Sequence, residues 1–105
     1  MTFKKLMFLL LLIFFQINIA AADQSGFDEI CHIYTEALNS SMKGDQLNNF
    51  INDSVKSRVT DKNAKVTHDA ITQARPDERY KIFKDSAEHY LNKRWACPAM
   101  KTLMK

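Results

Sequence analysis

The sequence is poor in glycine and proline, with two of each in 105 residues. The two glycines, Gly26 and Gly44, stand far apart, so the chain lacks a glycine-rich loop of the kind that surrounds phosphate groups. Most of the residues that favour tight turns are therefore missing, while Ala, Leu, Lys, Glu and Gln recur at intervals of three and four. The composition predicts helices joined by short loops.

The common catalytic and metal-binding motifs are also missing: the chain has no G-x-S-x-G, no H-E-x-x-H and no C-x-x-C. Its three histidines, His32, His68 and His89, fall on three different predicted helices. Asp28, His32 and Glu36 are spaced by fours and could offer ligands to a metal ion. We interpret them instead as part of a solvated helix face. The sequence predicts no catalytic residue, no metal site and no cofactor, and a protein that is not an enzyme.

The N-terminus has the three parts of a secretory signal peptide. Lys4 and Lys5 form a basic start, residues 6–15 are almost wholly apolar, and small residues lead up to Ala22. Gln16 interrupts the apolar run too early for a transmembrane anchor, which needs about 20 apolar residues. We predict cleavage after Ala22.

Two regions follow from this cleavage: a signal peptide at 1–22 and a single helical domain at 23–105. The remaining 83 residues suffice for one small domain, and nothing in them is apolar enough to span a membrane. We therefore expect an exported protein, periplasmic or secreted, that is not an integral membrane protein after cleavage.

The chain has only two cysteines, Cys31 and Cys97, and both follow the predicted cleavage point. An exported chain meets an oxidising compartment, and two cysteines allow one intramolecular pairing. Free thiols or an intermolecular bridge are the alternatives. A bridge across 66 residues would contribute about 4 kcal/mol on the chain-entropy model. We predict a structural clasp in which Trp95 caps the core beside the disulfide and Pro98 ends one helix or starts the next.

Apolar spacing predicts an all-α bundle of about four helices with a short terminal extension. The first two helices are expected at Gly26–Asn39 and Asp45–Val59, and Ser25 with Asp28 resembles a capping box at the first start. Pro76 is expected to open the fourth and longest helix, which carries Trp95 at its end.

The third helix is predicted to be short, with a buried stripe of Val66, Ala70, Ile71 and Ala74. A β-hairpin over residues 57–68 is the alternative, because turn-forming residues separate Val59 from Val66.

Charge is distributed unevenly. Residues 23–53 carry six acids and one base, and residues 54–105 carry six acids and twelve bases. The bases of residues 54–105 are interleaved with acids, and the protein is predicted to be exported. We therefore expect no nucleic-acid partner. This basic half could instead contact an anionic membrane or polysaccharide surface. The predicted contacts for such a surface are Lys93, Arg94, Lys101 and Lys105.

The ending RYKIFKDSAEHYLNKRWACPAMK resembles the C-terminal part of small, exported, uncharacterised bacterial proteins with a helical body and a Trp-x-Cys finish. The resemblance covers the last quarter of the chain and implies no catalytic residue and no known activity. In size, export signal and single disulfide the chain is also similar to periplasmic acid-stress chaperones, although its cysteine spacing and C-terminal motif differ from theirs.

These features predict a non-enzymatic, exported binding or interaction protein of the bacterial envelope or the extracellular medium, with an unknown protein or envelope component as partner. The alternatives are a periplasmic stress chaperone, or a binder of anionic membrane or polysaccharide surfaces.

Overall fold

The computed structural model describes residues 25–105, which form five α-helices and contain no β-strand. The helices are α1 (Gly26–Leu38), α2 (Gly44–Arg58), α3 (Lys62–Ile71), α4 (Arg79–Leu91) and α5 (Pro98–Leu103), with a 3₁₀ turn, Pro76–Glu78, directly before α4. The predicted all-α bundle is confirmed, and the helix at α3 excludes the alternative hairpin. The predicted signal peptide, 1–22, lies outside the described residues.

Helix α1 lies at the centre of the bundle and packs against α2, α3 and α5. Its buried residues recur at helical spacing, so that one broad apolar face meets three neighbours. The Phe27 ring also meets Phe83 of α4 edge to face, with centroids 5.4 Å apart. Ile33 belongs to this face, whereas Leu38 at the end of the helix is 40% exposed.

Two side chains fix where α1 and α3 begin. Ser25 Oγ accepts a hydrogen bond from the Asp28 backbone N–H and donates one to the Asp28 carboxylate. Asp61 accepts from the backbone N–H groups of Asn63 and Ala64 in the first turn of α3 and, through its other oxygen, from the Gly26 N–H at 3.3 Å. The starts of α1 and α3 are therefore tied together.

The predicted buried stripe of α3 is wrong at two positions. Val66 is 58% exposed and Ala70 is also exposed, whereas Ala64, His68 and Ile71 are buried. The helix is rotated so that a histidine enters the core. This rotation is tolerated because the His68 ring finds a hydrogen-bond partner inside the bundle.

The fourth helix ends earlier than predicted. Helix α4 stops at Leu91, because Asn92 adopts a left-handed conformation with φ of 53°. Its 13 residues make it shorter than α2, which has 15, so it is not the longest helix. Trp95 consequently lies in the connection between α4 and α5. None of the helices within residues 25–105 is long and apolar enough to cross a membrane.

Candidate functional site: a disulfide clasp and an interhelical groove

Cys31 and Cys97 form a disulfide, as predicted. The bond joins the middle of α1 to the residue before α5, across a separation of 66 residues. Cys97 is fully buried and Cys31 lies at the edge of the core. The C-terminal segment is thereby held covalently against the central helix.

Trp95 lies beside this bridge with its side chain buried. Its ring packs on Phe83 at a centroid distance of 5.4 Å, and its indole N–H donates a 3.0 Å hydrogen bond to the Asp28 carboxylate. Its backbone N–H donates to Glu88, which also pairs with Lys84. The Lys84 ammonium, and then the Trp95 N–H, lower the pKa of the Glu88 carboxyl. The connection after α4 is held by side-chain contacts as well as by the disulfide.

Pro98 is the first residue of α5, where its missing N–H leaves no acceptor unsatisfied. The preceding Cys97 N–H donates to the Tyr80 hydroxyl at 3.2 Å. A side chain of α4 therefore anchors the start of α5.

The four predicted surface cations lie along the C-terminal segment, and all are exposed. Lys93 and Arg94 belong to the connection between α4 and α5, Lys101 lies on α5, and Lys105 follows it. Within residues 25–105 none of the four forms a salt bridge.

Two of the three polar positions of α1 that resemble a metal-binding set, Asp28 and Glu36, have other partners. Asp28 bonds Trp95, and Glu36 pairs with Arg58, whose guanidinium also reaches Glu29. Hydrogen bonding to Arg58 lowers the pKa of the Glu36 carboxyl. The part of the chain that the structure describes has no cluster of three or more potential metal ligands.

An open groove of about 320 Å³, here called the interhelical groove, runs between α1, α2, α3, the start of α4 with the turn before it, and the C-terminal residues. Its volume is at the low end of the roughly 300 to 1,000 Å³ typical of small-molecule sites. Its apolar lining residues are Leu47, Ile51, Ile71, Pro76, Leu103 and Met104. Its polar lining residues are Tyr34, Asn48, Asn52, His68, Thr72, Arg79 and Lys105. Mixed apolar and polar walls of this kind suit a small organic ligand.

A buried polar pair lies against this groove. The Tyr34 hydroxyl and His68 Nε2 are 2.8 Å apart, and the two residues are 5% and 3% exposed. Burial raises the pKa of the Tyr34 phenol, an effect that the nearby Arg79 charge opposes. Burial lowers the pKa of the His68 imidazole, and the Asp69 carboxylate partly offsets this. Both rings are therefore neutral near pH 7.

Arg79 presents a fixed positive charge to the groove. Its Nε donates to the carbonyl of Ala74 at 3.1 Å and its Nη2 to that of Thr72 at 3.3 Å. These bonds orient the guanidinium without neutralising it, and Arg79 forms no salt bridge within residues 25–105.

Sequence reasoning does not identify this groove, since its lining comes from five separate stretches of the chain. The one available signal is the spacing of Ala64, His68 and Ile71 at i, i+4 and i+7, which places the histidine on an apolar face. Arg79 gives no signal, because it stands among many other cations in the basic half.

Comparisons of the chain with protein-family models, with curated proteins and with solved structures found no match.

Proposed function

We propose that the protein is a non-enzymatic binding protein, exported to the bacterial envelope or the extracellular medium, that holds a small ligand in the interhelical groove. The observation that carries this proposal is the groove itself: about 320 Å³ between five stretches of the chain, with apolar walls and convergent polar groups. The disulfide supports export, because such bonds persist in oxidising compartments.

The contacts around the groove favour binding over turnover. The Tyr34 hydroxyl and the His68 ring are engaged with each other, and no Asp or Glu side chain lines the groove to orient the histidine. The acidic group that completes a nucleophile and base arrangement is therefore missing from the lining side chains. A saturable turnover that is lost in a folded His32→Gln or His68→Gln variant would contradict a purely binding role.

Native mass spectrometry of the protein recovered from its own periplasm or culture medium tests the proposal. The native mass should exceed the denatured mass by a small ligand. Asn48→Trp places a bulky ring at the groove and should abolish the adduct. Asn49→Trp alters the neighbouring exposed residue, which does not line the groove, and should retain it. Equal native and denatured masses, or an adduct kept in both variants, would contradict groove binding.

A second candidate is attachment to an anionic membrane or polysaccharide surface. It is favoured by the exposure of the four C-terminal cations without salt-bridge partners in the described region. Binding to anionic liposomes should weaken as salt rises, because screening shortens the reach of exposed charges. Equal affinity at low and high salt would exclude electrostatics as the cause.

A stress-chaperone role is the third candidate, and the buried His68 favours it. Protonating this ring at low pH would weaken the core that contains Phe27 and Phe83 and partly buries Phe50. The loosened bundle would then expose aromatic surface to unfolded clients. A protein that stays compact and does not protect aggregating clients at low pH would rule this role out.

A further inference from the structure

The charged side chains that line the interhelical groove are of one sign. They belong to Arg79 and Lys105, and no Asp or Glu side chain is among the lining residues. Cationic side chains in a groove attract anions and repel cations. Charge complementarity therefore favours a ligand with a negative charge.

Arg79 has donors available for such an anion. A guanidinium has five N–H groups, and the bonds to the Ala74 and Thr72 carbonyls use two of them. Three remain without an acceptor in residues 25–105. Because the two backbone bonds already orient the guanidinium plane, little side-chain entropy is lost when an anion binds. A carboxylate is the smallest common group that accepts two parallel N–H bonds from arginine.

The rest of the groove suits an uncharged, apolar body. Leu47 and Ile71 face it from α2 and α3, and Leu103 and Met104 face it from the C-terminal segment. Leu47, Leu103 and Met104 are only partly buried, so a bound chain would cover apolar surface that water now contacts. Methionine adapts its shape readily to a flexible ligand.

We propose that the interhelical groove binds a small amphipathic monoanion, with its carboxylate on the Arg79 guanidinium and its aliphatic body between Leu47, Ile71, Leu103 and Met104. This inference rests on the proposed function, because it names the ligand class of the same groove. A medium-chain fatty acid anion has this chemistry.

Isothermal titration calorimetry with decanoate and decan-1-ol tests the proposal, since the two share their chain length and differ in charge. The wild type should bind decanoate at least tenfold more tightly than decan-1-ol. Arg79→Gln should weaken decanoate binding about tenfold and leave decan-1-ol unchanged. Arg75→Gln removes a cation four residues earlier that lies outside the groove, and should change neither affinity.

Because Arg79 also binds two backbone carbonyls, Arg79→Gln must first be shown to fold by circular dichroism. If this variant does not fold, the salt dependence of binding to the wild type still tests the proposal. Decanoate affinity should fall as salt rises and decan-1-ol affinity should not. Asn48→Trp should abolish decanoate binding, and Asn49→Trp should retain it, which separates the groove from the exposed C-terminal cations.

Three results would overturn the inference. Equal affinity for decanoate and decan-1-ol would show an apolar groove without anion selectivity, and the proposed function would stand. If decanoate does not bind at millimolar concentration and decan-1-ol does not bind up to its solubility limit, while the protein from its source carries a native adduct, only the ligand class is overturned. No binding and no native adduct would overturn the ligand class and the proposed function together.

Discussion

The indole N–H of Trp95 donates a 3.0 Å hydrogen bond to the carboxylate of Asp28, 67 residues earlier in the chain. The same carboxyl group accepts from Ser25 at the start of α1. One acidic side chain therefore joins the start of the central helix to the connection between α4 and α5. Together with the disulfide between Cys31 and Cys97, this contact holds the C-terminal segment in place.

Trp95→Phe should destabilise the protein by about 2 to 3 kcal/mol, because a hydrogen bond to a charged acceptor is lost together with part of the ring contact. Urea unfolding measures the change. A double-mutant cycle with Asp28→Ala should give a coupling of about 1 to 2 kcal/mol. Tyr90→Phe, which changes a 52% exposed aromatic residue, is the control and should have little effect. Additive losses in the cycle would contradict the importance of the contact.

Replacing both Cys31 and Cys97 with serine should remove about 4 kcal/mol of stability, since the unfolded chain regains the freedom of a 66-residue loop. A small domain has a total stability on the order of 5 kcal/mol, so the variant should retain only about 1 kcal/mol and a measurable fraction of it should be unfolded at 37 °C. Thermal unfolding followed by circular dichroism measures this. Wild-type protein treated with a reductant should behave similarly, and a variant as stable as the oxidised wild type would contradict the clasp.

Stability should fall as the pH is lowered through about 6.5, and His68 should be the cause. Burial lowers the pKa of its imidazole in the folded state, so the unfolded chain binds the proton more readily. The stability that His68 contributes is present above the unfolded pKa of about 6.5 and is lost below it, by at most about 1.4 kcal/mol per pH unit.

The groups around His68 determine how large this effect is. The Tyr34 hydroxyl from α1 and the Phe83 ring from α4 face its ring, Asp69 favours protonation, and Arg79 lines the same groove. His68→Gln should reduce the slope of the unfolding free energy against pH between pH 7 and pH 5. His32→Gln, at an exposed histidine, should leave that slope unchanged. An unaltered slope in His68→Gln would contradict the assignment.

Stability should also fall in a second, lower pH range, in which paired carboxylates become protonated. Pairing with Arg58, Lys81 and Lys84 lowers the pKa values of Glu36, Asp85 and Glu88. Their contributions are present above about pH 4 and are lost as the pH falls further. All three groups are exposed to solvent screening, so this loss should be small and should shrink in high salt.

Gly26→Ala should destabilise the bundle by about 1 to 3 kcal/mol, because a methyl group there would collide with the side chain of Asp61 and lie 2.9 Å from Ala64 Cβ. The start of α1 would have to move away from α3. Gly44→Asn is the control, since this residue has φ of +61° in open space and asparagine tolerates that conformation. An effect of Gly26→Ala no larger than the control's would contradict the close approach of the two helices.

The sequence predicts much of the fold because local signals coincide with tertiary packing in several places. Ser25 caps α1 where expected, Pro76 opens the turn before α4, and the single cysteine pairing forms. The prediction fails on α3, where apolar residues alone place Val66 inside. The burial of His68 depends on Tyr34, 34 residues away, and no local pattern reveals that partner.

The candidate site is less predictable than the fold for the same reason. The interhelical groove exists only once α1, α2 and α3 meet the C-terminal residues, and its fixed cation is one of twelve bases in residues 54–105. What distinguishes Arg79 is its pair of bonds to backbone carbonyls beside a buried tyrosine. Composition and spacing do not encode such a contact.

The binding site is tested most directly by titrating the ¹⁵N-labelled protein with decanoate and following its amide resonances by NMR. Groove binding predicts saturable shifts that cluster at Asn48, Asn52, Thr72 and Arg79, and that disappear in Asn48→Trp but persist in Asn49→Trp. Shifts that cluster around Lys93 and Arg94, or that rise linearly over the whole surface without saturation, would contradict a ligand site in the interhelical groove.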